Sequence, residues 1–84
     1  MNLSLNSVVE QRENRIRERF VAILKKLRVE KGMTQAQLAE RVKVPRSSYN
    51  AFETARTEPH LRALVRLADV LNVTLDELVG RNRH

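Results

Sequence analysis

Residues 33–53 constrain the fold more than any other stretch, because they predict two short helices joined by a turn of about three residues. The first helix begins at Thr34, whose hydroxyl can accept from the backbone N–H of Gln37 while the Gln37 side chain reaches back to Thr34, forming a capping box. The apolar residues that follow have helical spacing: Leu38, Ala39 and Val42. We therefore predict a helix of about two turns after Thr34.

A second helix follows almost at once. Val44-Pro45 interrupts the apolar stripe, which resumes at Tyr49 and Phe52 with the i, i+3 spacing of one helix face. Two short helices with so tight a connection form a helix-turn-helix pattern, in which the first helix lies against the DNA backbone and the second enters the major groove. The spacing therefore favours DNA binding.

The composition narrows the possible partners and chemistries. In 84 residues, 16 Lys and Arg against 10 Asp and Glu give a net charge of +6, which favours an anionic partner such as nucleic acid or an acidic membrane surface. There is no cysteine, and His60 and His84 stand far apart without neighbouring ligands, so we expect no metal ion, no cofactor and no catalytic residue. No apolar run approaches a membrane span and the N-terminus lacks a signal-peptide core, so we expect a cytoplasmic protein.

The rest of the pattern predicts an all-α protein. Gly32 and Gly80 stand where helices should end, and Pro45 and Pro59 stand just before helical stretches. We predict no strand and five helices, at about 8–31, 35–42, 46–54, 61–71 and 75–79.

We divide the chain into an N-terminal extension at 1–18, helical from about residue 8, a helix-turn-helix domain at 19–80 and a basic C-terminal tail at 81–84. In the extension, Ser7-Val8-Val9-Glu10 has the form of a capping box. An apolar stripe leads from it into the domain: Val9, Ile16, Phe20, Ile23 and Leu27. So long a helix exceeds what a small domain can cover, and either it packs against another subunit or its first turns fray.

About two thirds of the chain carries a characteristic series of residues in unbroken order: Leu27-Arg28, Met33-Thr34-Gln35, Leu38-Ala39, Glu53, Pro59, Leu64 to Leu71 and Val73 to Leu78. In this register, residues 28–80 resemble the phage-repressor and Cro type of domain, the XRE family. The resemblance implies a compact five-helix phage-repressor-like DNA-binding domain, here with an N-terminally extended first helix. It also implies a transcriptional regulator, a repressor, that binds double-stranded operator DNA as a homodimer.

The same resemblance and the geometry of a helix in the major groove identify candidate DNA contacts. Thr34 and Gln35 open a helix, where free N–H groups and the helix dipole favour a phosphate. In resembling repressors the positions that match Arg46, Ser47 and Ala51 read bases. Arg46 can donate two hydrogen bonds to guanine, Ser47 can bond to any base, and Ala51 offers a methyl group to thymine. The alternative for Arg46 is a phosphate contact.

Each of three further candidate DNA contacts has two possible roles. Ser48 and Asn50 suit phosphate contact or plain solvation, although Asn50 belongs to the exposed turns that reach base edges. Arg56, beyond the second helix, is either a phosphate contact or solvated.

Arg28 and Glu53 have a different role, because the resemblance implies a partly buried ion pair that ties the first helix to the recognition helix. We treat that pair as structural.

Two positions depart from the family pattern. Lys43, in the turn before the recognition helix, and Ala55, in the loop after it, stand where the family usually has glycine. A left-handed backbone at either residue would cost about 1 kcal/mol.

Two other functions stay open. One is an antitoxin-like module whose N-terminal helix binds a protein partner while the helix-turn-helix represses its own operon. The other is a basic amphipathic helix at a membrane, which we do not favour because acidic residues interrupt it: Glu10, Glu13, Glu18 and Glu30.

Overall fold

Five helices form residues 3–81, the part of the chain that the computed structural model describes, with side chains described from residue 8. They are α1 (Leu3–Glu30), α2 (Gln35–Arg41), α3 (Arg46–Glu53), α4 (Leu61–Leu71) and α5 (Leu75–Leu78), and no strand occurs among these residues. The all-α, five-helix prediction is confirmed, and only the start of α1 differs from it by more than a residue or so. Of the predicted tail at 81–84, residues 82–84 lie outside the described residues.

The first helix is longer than predicted at its N-terminal end. α1 begins at Leu3 and contains Ser7, so the predicted start of the helix at a capping box on Ser7 is wrong. The residues before Ser7 include neither Pro nor Gly, and lengthening an existing helix is much easier than starting one. The 28 residues of α1 extend about 42 Å. No helix in residues 3–81 is long and apolar enough to cross a membrane.

The inward faces of all five helices meet in one apolar core. α3 packs against both α1 and α2, while α5 packs against α1 and α4. Tyr49 and Phe52 point inward as predicted, with their ring centroids 6.1 Å apart in an edge-to-face arrangement. The buried side chains are Phe20, Leu24, Met33, Leu38, Ala39, Val42, Tyr49, Phe52, Ala63, Leu67, Ala68, Leu71 and Leu78. Helix α3 is therefore held by the core along one side only.

Local capping explains why α2 and α5 begin where they do. The Thr34 hydroxyl accepts from the backbone N–H of Gln37 at 3.1 Å, and the Gln37 side chain accepts from the backbone N–H of Thr34 at 2.8 Å. Thr74 and Glu77 form the same reciprocal pair with two distances of 3.0 Å. His60 caps α4, because its Nδ1 accepts from the backbone N–H of Ala63 at 3.2 Å.

Both positions that depart from the family pattern have a left-handed backbone. Lys43 and Ala55 have φ angles of 61°, and Asn72, which tolerates this region better, has a φ of 57°. A Cβ atom in this region contacts the following carbonyl oxygen and costs about 1–2 kcal/mol. The turns on either side of α3 therefore keep the shape that glycine would allow, at an energetic cost.

We expect Ala55→Gly to raise the free energy of unfolding by about 0.5–1 kcal/mol, because relief of this strain exceeds the entropy that glycine adds to the unfolded chain. Ala22→Gly is the matched control. Ala22 is exposed in the middle of α1, and the same change there should lower stability by about 1 kcal/mol. Urea denaturation measures both, and a loss of stability in both variants would contradict the prediction.

Candidate nucleic-acid interface

The turn between α2 and α3 is short and internally hydrogen-bonded. The backbone N–H of Val44 donates to the carbonyl of Ala39 at 3.0 Å, and the backbone N–H of Lys43 donates to the carbonyl of Glu40 at 3.2 Å. Pro45 then starts α3 with extended geometry and supplies no side-chain cap. The first N–H groups of α3 consequently lack an intrahelical acceptor and a capping side chain, and the positive end of the helix dipole is left for an external anion.

One face of α3 points away from the core and carries most of the candidate base contacts. Arg46, Ser47, Asn50 and Ala51 span about 140° of the helix circumference at 100° per residue. Arg46 and Ser47 are exposed, while Asn50 and Ala51 are half-buried. Ser48 lies about 60° beyond this arc, towards the buried side, and is half-buried. We call the four residues within the arc the outer face of α3.

Basic side chains lie at both ends of α3. Lys43 and Arg46 are exposed at its N-terminal end, and Arg66 of α4 reaches the same turn, where its Nη1 is 3.5 Å from the carbonyl oxygen of Val42. Arg56 is exposed beyond the C-terminal end of α3. The sequence analysis did not identify Lys43 or Arg66 as site residues. Their position beside α3 depends on the turn geometry and on the packing of α4.

An ion pair between largely buried side chains joins α1 to α3. The Nε of Arg28 donates to Oε2 of Glu53 at 2.6 Å and its Nη2 donates to Oε1 at 3.2 Å, so the contact is bidentate. The remaining Nη1 donates to the carbonyl of Met33 at 2.8 Å, just before α2. Only 13% of the Arg28 side chain and 4% of the Glu53 side chain are exposed. The pair thus fixes the position of α3 relative to α1 and to the chain entering α2.

Two more residues converge on the Glu53 carboxylate. The Tyr49 hydroxyl donates to Oε2, and the Nε2 of Gln35 donates to Oε1 at 3.0 Å. The Oε1 of Gln35 in turn accepts from the Nδ2 of Asn50 at 3.2 Å. We call Arg28, Gln35, Tyr49, Asn50 and Glu53 the Glu53 cluster. It connects the buried ion pair to the outer face of α3.

Hydrogen bonds keep Glu53 ionised in spite of its burial. Burial raises the pKa of the Glu53 carboxyl. Hydrogen bonds from Arg28, Tyr49 and Gln35 together lower that pKa by more than burial raises it, so it lies below its ordinary value. Burial and the hydrogen bond to Glu53 raise the pKa of the Tyr49 hydroxyl. The hydrogen bond with Glu53 likewise raises the pKa of Arg28. At neutral pH the cluster therefore contains one anion, one cation and a neutral phenol.

The Glu53 cluster explains what sequence reasoning missed around α3. Tyr49 and Glu53 are four residues apart on one helix, and that spacing predicts a contact between them. By contrast, Gln35 and Asn50 meet because α2 packs across α3, and no local pattern signals this contact. Gln35 was predicted as a phosphate contact, but two of its side-chain atoms already have protein partners.

Comparison with known proteins identifies the type of domain. The family model described as Helix-turn-helix matches residues 24–78. The chain is 36% identical over 60 residues to an HTH-type transcriptional regulator of Bacillus subtilis, YqaE, itself described as uncharacterized; the alignment covers 71% of this chain and 52% of YqaE. It is 40% identical over 48 residues to RstR, a cryptic phage transcriptional repressor of Vibrio cholerae, with 57% of this chain and 43% of RstR covered.

A solved structure shows the same fold. The crystal structure of a transcriptional regulator from Listeria innocua superimposes with a TM-score of 0.70 at 31% sequence identity, covering 77% of this chain and 61% of that chain. The chain spans about half the length of the curated relatives it matches. The matched family segment, residues 24–78, contains the whole outer face of α3 and the Glu53 cluster.

Proposed function

Because the chain belongs to the XRE type of helix-turn-helix family, we propose that it is a transcriptional regulator that represses genes by binding operator DNA as a homodimer. The observation that carries this proposal is the outer face of α3, which is left free by the core on a helix fixed by a buried ion pair. The similarity to the phage repressor RstR supports repression. The proposed function requires no catalytic group, metal ion or cofactor.

In this proposal the outer face of α3 reads base edges in the major groove. Arg46 donates two hydrogen bonds to guanine O6 and N7, Ser47 bonds to either partner of a pair, and Ala51 contacts a thymine methyl group. All three residues lie on one side of α3, as a single groove requires. Ser48, displaced towards the buried side of the helix, is a phosphate contact at most.

Other residues position the domain on the phosphate backbone. The N-terminal end of α2, with Thr34 and Gln35, binds one phosphate, and Gln35 keeps one Nε2 hydrogen for it after donating to Glu53. Lys43 and Arg56 add cations at the two ends of α3. These contacts are independent of base sequence and should make affinity strongly dependent on salt.

The two arginines provide a direct test. We expect Arg46→Ala to relax the base preference at one position of each half-site by about 1–3 kcal/mol. We expect Arg56→Ala to weaken binding to all sequences alike and to reduce the slope of log affinity against log salt by about one. Arg56 is a cleaner phosphate test than Gln35, because Gln35 also holds Asn50 and Glu53.

Binding-site selection with the purified chain, followed by affinity measurements at several salt concentrations, measures both effects. Selected half-sites about 34 Å apart would support the homodimer. An unchanged base profile for Arg46→Ala would show that Arg46 contacts only phosphate. Failure of the wild-type chain to enrich any site would overturn the proposed function.

The projecting part of α1 is our proposed contact between the two subunits. Val8, Val9 and Ile16 are 46%, 43% and 51% exposed, although all three are large apolar residues. Val9 and Ile16 form a stripe with charged residues on both sides at helical spacing: Glu10, Glu13 and Arg17 lie on one side, and Arg12 and Arg15 lie on the other.

A second copy of the same helix fits this stripe, because the exposed valines and isoleucines of the two copies can then cover one another. The charged residues on both sides of the stripe can stay in solvent in this arrangement.

A further inference from the structure

The hydrogen bonds of the Glu53 cluster run in one direction, from the outer face of α3 to the buried carboxylate. Asn50 donates to Gln35, and Gln35 donates to Glu53. An ionised carboxylate can only accept, whereas an amide side chain carries both an acceptor oxygen and a donor nitrogen. The charge on Glu53 therefore determines which end of the Gln35 amide turns inward.

The orientation of the Gln35 amide in turn determines the orientation of the Asn50 amide. With its Nε2 directed at Glu53, Gln35 can offer only its Oε1 to α3, and Asn50 must place its Nδ2 against that oxygen. The Oδ1 of Asn50 and the second hydrogen of its Nδ2 are then left for another partner. Asn50 is half-buried on the outer face of α3, one turn after Arg46.

We propose that buried Glu53, acting through Gln35, fixes the hydrogen-bonding polarity of Asn50 and makes it an adenine-reading residue. An oxygen acceptor next to a free N–H donor matches the N6 amino group and N7 of adenine in the major groove. Asn50 is the specificity residue, while Gln35 and Glu53 are positioning residues. The inference rests on the proposed function, because it needs α3 to lie in the groove.

The Gln35→Met variant removes this link while keeping the length of the side chain and the Arg28 pair. Gln37→Met is the matched control, because Gln37 is exposed on the same helix and contacts Thr34 instead of Glu53 or Asn50. Asn50→Ala identifies which base pair Asn50 reads. Arg46→Ala tests α3 independently of the Glu53 cluster.

Binding-site selection with each full chain decides the matter. We expect Asn50→Ala to abolish an adenine preference of about tenfold at one position, and Gln35→Met to reduce that preference to about twofold while the preference at the Arg46 position persists. Gln37→Met should change neither preference. An adenine preference that survives Gln35→Met, or an Asn50→Ala profile equal to the wild type, overturns the inference and leaves the proposed function intact.

A second measurement needs no DNA. In the free protein, the side-chain amide resonances of Asn50 should move in Gln35→Met and in Glu53→Gln, but not in Gln37→Met. Resonances that do not respond to Gln35→Met would show that the hydrogen bond is absent in solution and would overturn the inference. If no chain selects any DNA site, the inference fails together with the proposed function.

Discussion

Replacing Glu53 with alanine should lower the free energy of unfolding by about 3–5 kcal/mol, the typical cost of removing one partner from a buried ion pair. The change removes the carboxylate partner of Arg28, whose side chain is only 13% exposed, and it removes an acceptor from Tyr49 and Gln35. The penalty comes from buried groups that lose their partners, so it should far exceed the net contribution of the intact pair. Urea denaturation of the two proteins measures the difference.

A second ion pair in the same chain is the matched control. Arg17 and Glu58 approach to 3.5 Å, but their side chains are 43% and 65% exposed. Glu58→Ala makes the same chemical change in water, where it should cost less than about 1 kcal/mol. A double variant that replaces Arg28 with Met and Glu53 with Leu should recover much of the lost stability. Equal losses in Glu53→Ala and Glu58→Ala would contradict this account.

The pH dependence of stability gives the same interaction a second signature. The folded pKa of Glu53 lies below its unfolded value of about 4.3, so the stabilisation is complete above that pH and is lost as the pH falls through the folded pKa. The folded pKa of Tyr49 is raised, so stability should also decrease as the pH rises above about 10. Glu53→Gln should reduce the loss of stability at acid pH, and Tyr49→Phe should remove the loss of stability at alkaline pH.

Features that depend on near neighbours in the chain could be predicted from the sequence. The capping boxes at Thr34 and Thr74 each involve four consecutive residues, and both helices begin where those residues place them. The core positions of Tyr49 and Phe52 follow from helical periodicity. Ser7 shows the limit of this reasoning, because a valid capping pattern does not start a helix when the residues before it are also helical.

Features that depend on contacts between helices could not be predicted in the same way. Glu53 receives hydrogen bonds from α1, from α2 and from its own helix. Only the bond from Tyr49, four residues earlier on the same helix, could be predicted from spacing along the chain. The contact between Gln35 and Asn50 requires the crossing of α2 over α3. Lys43 and Ala55 illustrate a third case, since their left-handed backbone was suggested by the family pattern and opposed by their own preferences.

Deleting residues 1–17 should weaken self-association strongly while leaving the domain folded. From residue 8 onward, where the side chains are described, Phe20 and Leu24 are the first deeply buried residues of α1, and both remain in the shortened chain. The deletion removes Val9 and Ile16, the exposed stripe that we propose meets a second copy. Circular dichroism should show a folded helical protein, and sedimentation equilibrium should show a much larger dimer dissociation constant.

Operator affinity should decrease along with dimerisation. A dimer presents two recognition helices at once, and loss of the second binding event typically costs about 100-fold or more in affinity. A point variant separates the stripe from the rest of the deleted segment. Val9→Glu should reproduce both effects, whereas Val29→Glu, the same substitution at a 58% exposed position near the other end of α1, should reproduce neither.

The outcome also separates the possible partners of α1. A truncated chain that dimerises as tightly as the full chain would rule out α1 as the subunit contact and would direct attention to the surfaces of α4 and α5, as in resembling repressors. A chain that keeps residues 1–17 and stays monomeric, but binds a separate protein through Val9, would favour the antitoxin-like alternative.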